Sequence, residues 1–137
     1  MRVLKWITGT VAALLLIAGG LAYYAGVVMA GDWRTASRES AGIAPDPATI
    51  REAVVQVYVA RAWSWRGAFG VHSWIAVKPT GAPTFTVYEV IGWRAYHGMS
   101  VLSINGRAPD GRWFGAEPEI IVDLRGGGID EVIKDID

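Results

Sequence analysis

The sequence predicts an α+β protein. It is expected to open with an N-terminal transmembrane helix, followed by a small antiparallel sheet of about five strands and a short C-terminal helix. Three observations carry this. No charged residue occurs from Trp6 to Gly31. Between residues 53 and 124, short apolar stretches alternate with period two and are separated by Gly, Pro and Asn-Gly punctuation. Near the end, Ile129, Val132, Ile133 and Ile136 recur at helical spacing.

The uncharged stretch holds 26 residues. At a rise of ~1.5 Å per residue it exceeds a bilayer core of roughly 30 Å. Arg2 and Lys5 precede it, and Asp32, Trp33 and Arg34 close it. Trp6 and Trp33 stand at its ends, where indole rings favour the headgroup layer. A cleaved signal peptide shares the basic start, and Val28-Met29-Ala30 offers it a small-residue exit. The apolar run is about twice a usual signal core, so a retained signal-anchor is the expectation and cleavage the alternative. Positive charge on the short side is only slightly in excess of Arg34 and Arg38 beyond the span. The expected organisation is a cytoplasmic tail (1–5), a transmembrane anchor (6–31), a linker (32–50) and a small domain (51–137) facing the periplasm or cell exterior. Ala18, Ala22, Gly26 and Ala30 fall every fourth residue. Such a stripe permits weak homo-association through the helix, although small residues are common in anchors for no such reason.

Composition narrows the function classes. The chain has 13 basic and 13 acidic residues; without Arg2 and Lys5, 11 basic residues remain after Gly31. A nearly neutral domain without a basic stripe excludes nucleic acid as an expected partner. Zero cysteines exclude disulfides, thiolate metal sites and a Cys nucleophile. Seven Trp residues supply large buried area to a small core, and tryptophan also builds binding walls for glycans or lipids.

After the anchor, residues 34–48 lack periodicity and carry Ser37, Ser40, Gly42, Pro45 and Pro47, so they read as a linker. Asp46-Pro47 is expected to open one helical turn. The first strand, Ala53 to Ala60, sets Val55, Val57 and Val59 on one face and Val54, Gln56, Tyr58 and Ala60 on the other. The second, Phe69 to Lys78, sets Phe69, Val71, Ser73, Ile75 and Val77 on an apolar face, with His72, Trp74 and Lys78 opposite. Pro79 to Pro83 turn the chain into a third strand from Thr84 to about Trp93. Ser100 to Ile104 is a fourth, ending at the tight-turn pair Asn105-Gly106. A loop with Pro109, Gly111, Gly115 and Pro118 leads to a fifth strand, Glu119 to Leu124. The last helix is short, and Asp135 and Asp137 in its final turn oppose the helix dipole, so the fold is expected to continue past residue 137.

Several blocks resemble a known family. They are residues 52–58, Trp65-Arg66-Gly67, residues 71–78, residues 88–93, Ala108-Pro109-Asp110 and residues 113–118. In this order they resemble the bacterial family catalogued as domain of unknown function 3750, over essentially all of residues 33–137. The resemblance implies a C-terminal continuation with an Asn- and Ser-containing segment, while the inner-membrane, envelope location is expected from the anchor and the charges that flank it. It implies no established activity. A strand bearing His followed by a sheet is also similar, at the level of fold, to circularly permuted papain-like proteins of the NlpC type, which include amidases and acyltransferases.

His72 leads the candidates for chemistry, because imidazole suits proton transfer near neutral pH. Glu89, on the next strand, would orient it if pairing brings the two together. The competing reading is a His satisfied by packing against Trp. Arg66 and Trp65, with Trp74, form a candidate binding set for an anionic group between indoles, or a cation–π contact that only stiffens the loop. Asp110, Glu117 and Glu119 match no calcium loop, so no metal is expected, and no cofactor either. The expected function is a non-catalytic envelope module that is structural or binds a lipid, glycan or protein partner, because the chain offers a base without a credible nucleophile. The alternative is a hydrolase or acyltransferase of permuted papain-like type with His72 as base and a nucleophile beyond residue 137.

Overall fold

The computed structural model describes residues 2–29 and 31–136. Ala30, which completes both the Val28-Met29-Ala30 motif and the small-residue stripe, and Asp137, expected from the sequence in the final helical turn, lie outside the described residues.

Helix α1 spans Arg2–Met29. Its segment Lys5–Ala25 is long and apolar enough to cross a membrane and is not buried by the rest of the protein. The sheet follows as strands β1 (Val54–Arg61), β2 (Val71–Lys78), β3 (Thr86–Val90), β4 (Leu102–Asn105) and β5 (Glu119–Arg125). Helix α2 (Ile129–Ile136) closes the chain. Strand order is β4-β3-β2-β1-β5, and the pairings are antiparallel. The α+β expectation therefore holds element by element. One irregularity stands out: Val57 faces Val122 and Tyr58 faces Ile120, so Ile121 bulges from β5.

Two short 3-10 helices lie in connections, the second taking over what the sequence suggests is the end of the third strand. One, Ser64–Ala68, fills the β1–β2 connection. The other, Gly92–His97, ends β3 at Val90 instead of Trp93. Gly67 is required in the first, since a Cβ there would run into the Ala62 carbonyl. The helical turn expected after Asp46 is only a turn: Asp46 Oδ1 accepts the Ala48 N–H, and the Asp46 carbonyl accepts those of Thr49 and Ile50.

The two faces of the sheet are covered differently. On one, Val54, Tyr58, Ala60, Trp74, Ala76, Phe85 and Val87 form the larger core, with Ile50, Trp113, Ala116 and Ile120 packed against it. This face is covered by Trp113 and Ala116 of the loop after β4 and by Ile50 of the segment that reads as a linker. That segment lies along the loop, with Gly115 N–H donating to the Ser37 carbonyl, Arg112 N–H to that of Glu39, and Ala41 N–H to that of Asp110. On the other face, α2 sets Ile133 with Ile129 and Ile136 over Ala53, Val55 and Val77. That leaves Val90, Leu102, Ile104, Val122 and Leu124 of the aliphatic face exposed. The face richest in aliphatic residues is thus the more open one. Tyr58 and Trp74, stacked at 5.6 Å, bury more area and draw the loop and Ile50 onto the face they share with His72.

Candidate functional site

Antiparallel register assembles the site. Trp74 pairs with Glu89, Ala60 with His72, and Glu89 with Ser103. Side chains at these positions share a face, so His72 and Glu89 become diagonal neighbours across β2 and β3. His72 Nε2 lies 3.2 Å from Glu89 Oε2. The contact that the sequence makes conditional on strand pairing is present.

Glu89 is only 5% exposed. Arg107 reaches it with both edges of its guanidinium, Nε to Oε1 and Nη2 to Oε2, each at 3.3 Å. Asn105 Nδ2 donates to Oε1 at 3.1 Å. Burial works to raise the Glu89 carboxyl, but the hydrogen bond from His72, the charge and hydrogen bonds of Arg107 and the amide of Asn105 outweigh it and bring it down to about 2. Glu89 is therefore a fixed, buried carboxylate at any ordinary pH.

Arg107 is held in turn. Its Nη1 donates to the carbonyls of Ala108 and Gly111, and its guanidinium carbon sits 4.7 Å above the Trp74 ring. Trp74 itself is buried, its indole N–H donating to the Pro109 carbonyl at 2.7 Å. It works from beneath the site rather than as an outer wall.

The roof over His72 comes from the loop. Its ring lies 3.5 Å from Trp113, centroid to centroid, with 14° between planes. Trp113 and Ala116 exchange backbone hydrogen bonds around a two-residue turn, and Phe114 and Gly115 both have positive φ, 49° and 87°. Positive φ is costly for Phe. Contacts of its ring with Trp63, Trp93 and Trp113, and with the Arg38 guanidinium 4.3 Å above it, hold it there. Asp110, also buried, anchors the same loop to the linker. Burial again opposes its charge, but the Ala44 and Ile43 N–H groups and the Ser40 hydroxyl donate to it and keep its carboxyl below the usual range.

Arg66 and Trp65 lie elsewhere, in the first 3-10 helix, with the Arg66 guanidinium 5.2 Å over the Trp65 ring. Trp65 also touches Tyr23 of α1 at 5.9 Å. No group of three metal-binding side chains occurs among the described residues. A groove of about 330 Å³, lined by Val57, Ser73, Ile75, Tyr88, Val90 and Leu102, runs over the open aliphatic face, opposite His72.

Three members of the site escape sequence reading: Asn105, Arg107 and Trp113. Asn105 presents itself as a turn residue, yet two-residue spacing from Ser103 puts it on the Glu89 face. Arg107 and Trp113 sit in a loop whose path has no period to read.

Chemically, the arrangement is an imidazole in hydrogen-bond contact with a buried carboxylate. In a neutral imidazole one nitrogen carries the proton and the other a lone pair. A proton on Nε2, directed at Glu89, leaves the lone pair on Nδ1.

The model of a family described as a protein of unknown function, DUF3750, matches residues 52–137, and the chain belongs to that family. No curated protein and no solved structure matches the chain.

Proposed function

We propose that this DUF3750 member is a single-pass, membrane-tethered envelope domain in which His72 is the general base of a hydrolytic or acyl-transfer reaction. The observation that carries the reading is the His72–Glu89 contact, with Glu89 buried and ionised. A carboxylate so placed fixes the imidazole tautomer and stabilises the imidazolium that forms when Nδ1 takes a proton. The proton comes from a water or hydroxyl that attacks an acyl carbonyl and is returned to the leaving group. The acyl chemistry is inferred from the sequence resemblance to permuted papain-like enzymes; no solved structure matches the chain to support a common fold. Tethering rests on the apolar segment Lys5–Ala25, and the envelope-facing orientation on Arg2 and Lys5 before it.

A tethered binding module is the second reading. It is favoured by the bidentate Arg107–Glu89 pair, which would rigidify the domain whether or not catalysis occurs. Full-length protein in lipid nanodiscs, offered p-nitrophenyl esters of increasing acyl length, separates the two. Catalysis predicts turnover that His72→Gln abolishes while the thermal transition is retained. A folded wild type without turnover, or a His72→Gln variant that hydrolyses as well as wild type, supports the binding module.

A further inference from the structure

One end of the sheet gathers features that the His72 centre does not use. The end of β1, the start of β2, the end of β3 and the start of β4 meet there, and both 3-10 helices cap it. Phe69 is 83% exposed and Tyr96 90% exposed, and Trp65, Val71, Trp93 and Met99 also face outward. The two capping segments form one surface, because Trp63 before the first and Trp93 within the second both contact Phe114. Aromatic rings concentrated on a small exposed surface mark an interaction site.

Charge and connectivity say with what. The two capping segments, residues 61–72 and 91–102, contain Arg61, Arg66 and Arg94 and no Asp or Glu, while the start of β5 beside Val59 adds one exposed carboxylate, Glu119, at this end. Cationic side chains among exposed aromatic rings complement an anionic headgroup layer. At the same end Trp65 touches Tyr23 of α1, within the uncharged stretch that runs to Gly31. Trp6 and Tyr23 lie 17 residues apart, so at ~1.5 Å per residue their separation is about 26 Å, close to the hydrocarbon thickness of a bilayer. Trp65 therefore stands toward the outer side of the bilayer that this helix spans.

We infer that this end of the sheet docks on the bilayer that holds α1, with Phe69, Trp65, Trp93 and Tyr96 in the interfacial layer and Arg66 and Arg94 among anionic headgroups. The inference rests on the proposed anchoring of α1. Docking holds the domain upright on the surface and brings His72, the second residue of β2, close to the headgroups.

The chain has no cysteine, so single introduced thiols can carry a nitroxide label. Full-length Phe69→Cys, Tyr96→Cys, Leu16→Cys and Glu131→Cys proteins would be placed in nanodiscs of phosphatidylcholine and phosphatidylglycerol. Accessibility to oxygen, which partitions into lipid, is then compared with accessibility to a water-soluble nickel chelate. Docking predicts an oxygen-to-nickel ratio several-fold higher at Phe69 and Tyr96 than at Glu131 on α2, with Leu16 higher still. A high ratio at Leu16 with Phe69 and Tyr96 as wet as Glu131 overturns docking and leaves the anchor standing. A low ratio at Leu16 overturns the anchor and this inference with it. Shielding of Phe69 and Tyr96 from both probes, with spin–spin broadening, would mean that a second copy covers the surface, which also overturns it.

Discussion

The imidazole of His72 lies flat against the indole of Trp113, 3.5 Å away and within 14° of parallel, while its Nε2 meets Glu89 at 3.2 Å. One contact fixes the plane of the ring and the other its rotation within that plane. Two constraints from different parts of the chain, a hairpin tip and a neighbouring strand, leave the imidazole one orientation. The proposed role as a base requires such a fixed orientation.

Removing the roof tests the first constraint. Trp113→Leu loses the stack on His72 and the edge contact with Phe114 and is expected to cost about 1–2 kcal/mol, as aromatic pairs do. The same variant should broaden the His72 ring resonances in an NMR spectrum as the imidazole gains freedom. Urea titration supplies the stability and the spectrum the mobility.

Glu89 makes stability pH-dependent in a defined direction. Its carboxyl sits near 2 in the folded protein against 4.5 ordinarily, so its contribution is fully present above about pH 4.5 and is lost as pH falls toward 2. A shift of that size corresponds to roughly 3 kcal/mol. Asp110, also held low, acts in the same direction. Urea unfolding at pH 7 and pH 3 should show a large gap between wild type and Glu89→Gln at pH 7 and a clearly smaller one at pH 3.

Tyr58 and Gln56 are both fully buried, and the Tyr58 hydroxyl donates to Gln56 Oε1 at 2.7 Å. Burial first, then the charges of Asp110 and Asp123, push the phenol far above its ordinary range, so it stays a donor. Tyr58→Phe leaves the amide oxygen without that donor and is expected to cost about 1–3 kcal/mol in chemical denaturation.

Gly67→Ala tests the first 3-10 helix. The added methyl meets the Ala62 carbonyl, a backbone atom that can move only with the end of β1. The expected loss is about 1–3 kcal/mol. Faster hydrogen exchange at the Ala62 amide, which donates to the Gly70 carbonyl, should accompany it. Unchanged exchange would show that the loop absorbs the methyl.

These consequences were unequally legible in the sequence. Period-two patterning finds the five strands to within a few residues, and it separates His72 and Trp74 from Ile75 and Val77. Register is the hidden variable for the His72–Glu89 contact: each residue is visible on its own strand, but the pairing of Trp74 with Glu89 is set by the Pro79–Pro83 turn and by burial. Arg107 and Trp113 are invisible for a different reason. Their positions depend on a loop fixed by Asp110, by the linker backbone and by Phe114 at positive φ, none of which leaves a periodic signal. Local pattern marks the face of Ile75 and Val77 as the apolar one but does not say which face carries the main core. The structure gives that place to the Tyr58–Trp74 face, since two stacked aromatic side chains bury more than the short aliphatic ones opposite.

The most direct test is the tautomer of His72, read by nitrogen-15 NMR of the full-length protein at neutral pH. His97→Gln removes the other histidine of the chain and assigns the signals. The account predicts a proton on Nε2, facing Glu89, and an unprotonated Nδ1 ready to accept one. A proton resident on Nδ1 with the lone pair on Nε2 would contradict it, because His72 would then have no free basic nitrogen to offer a substrate.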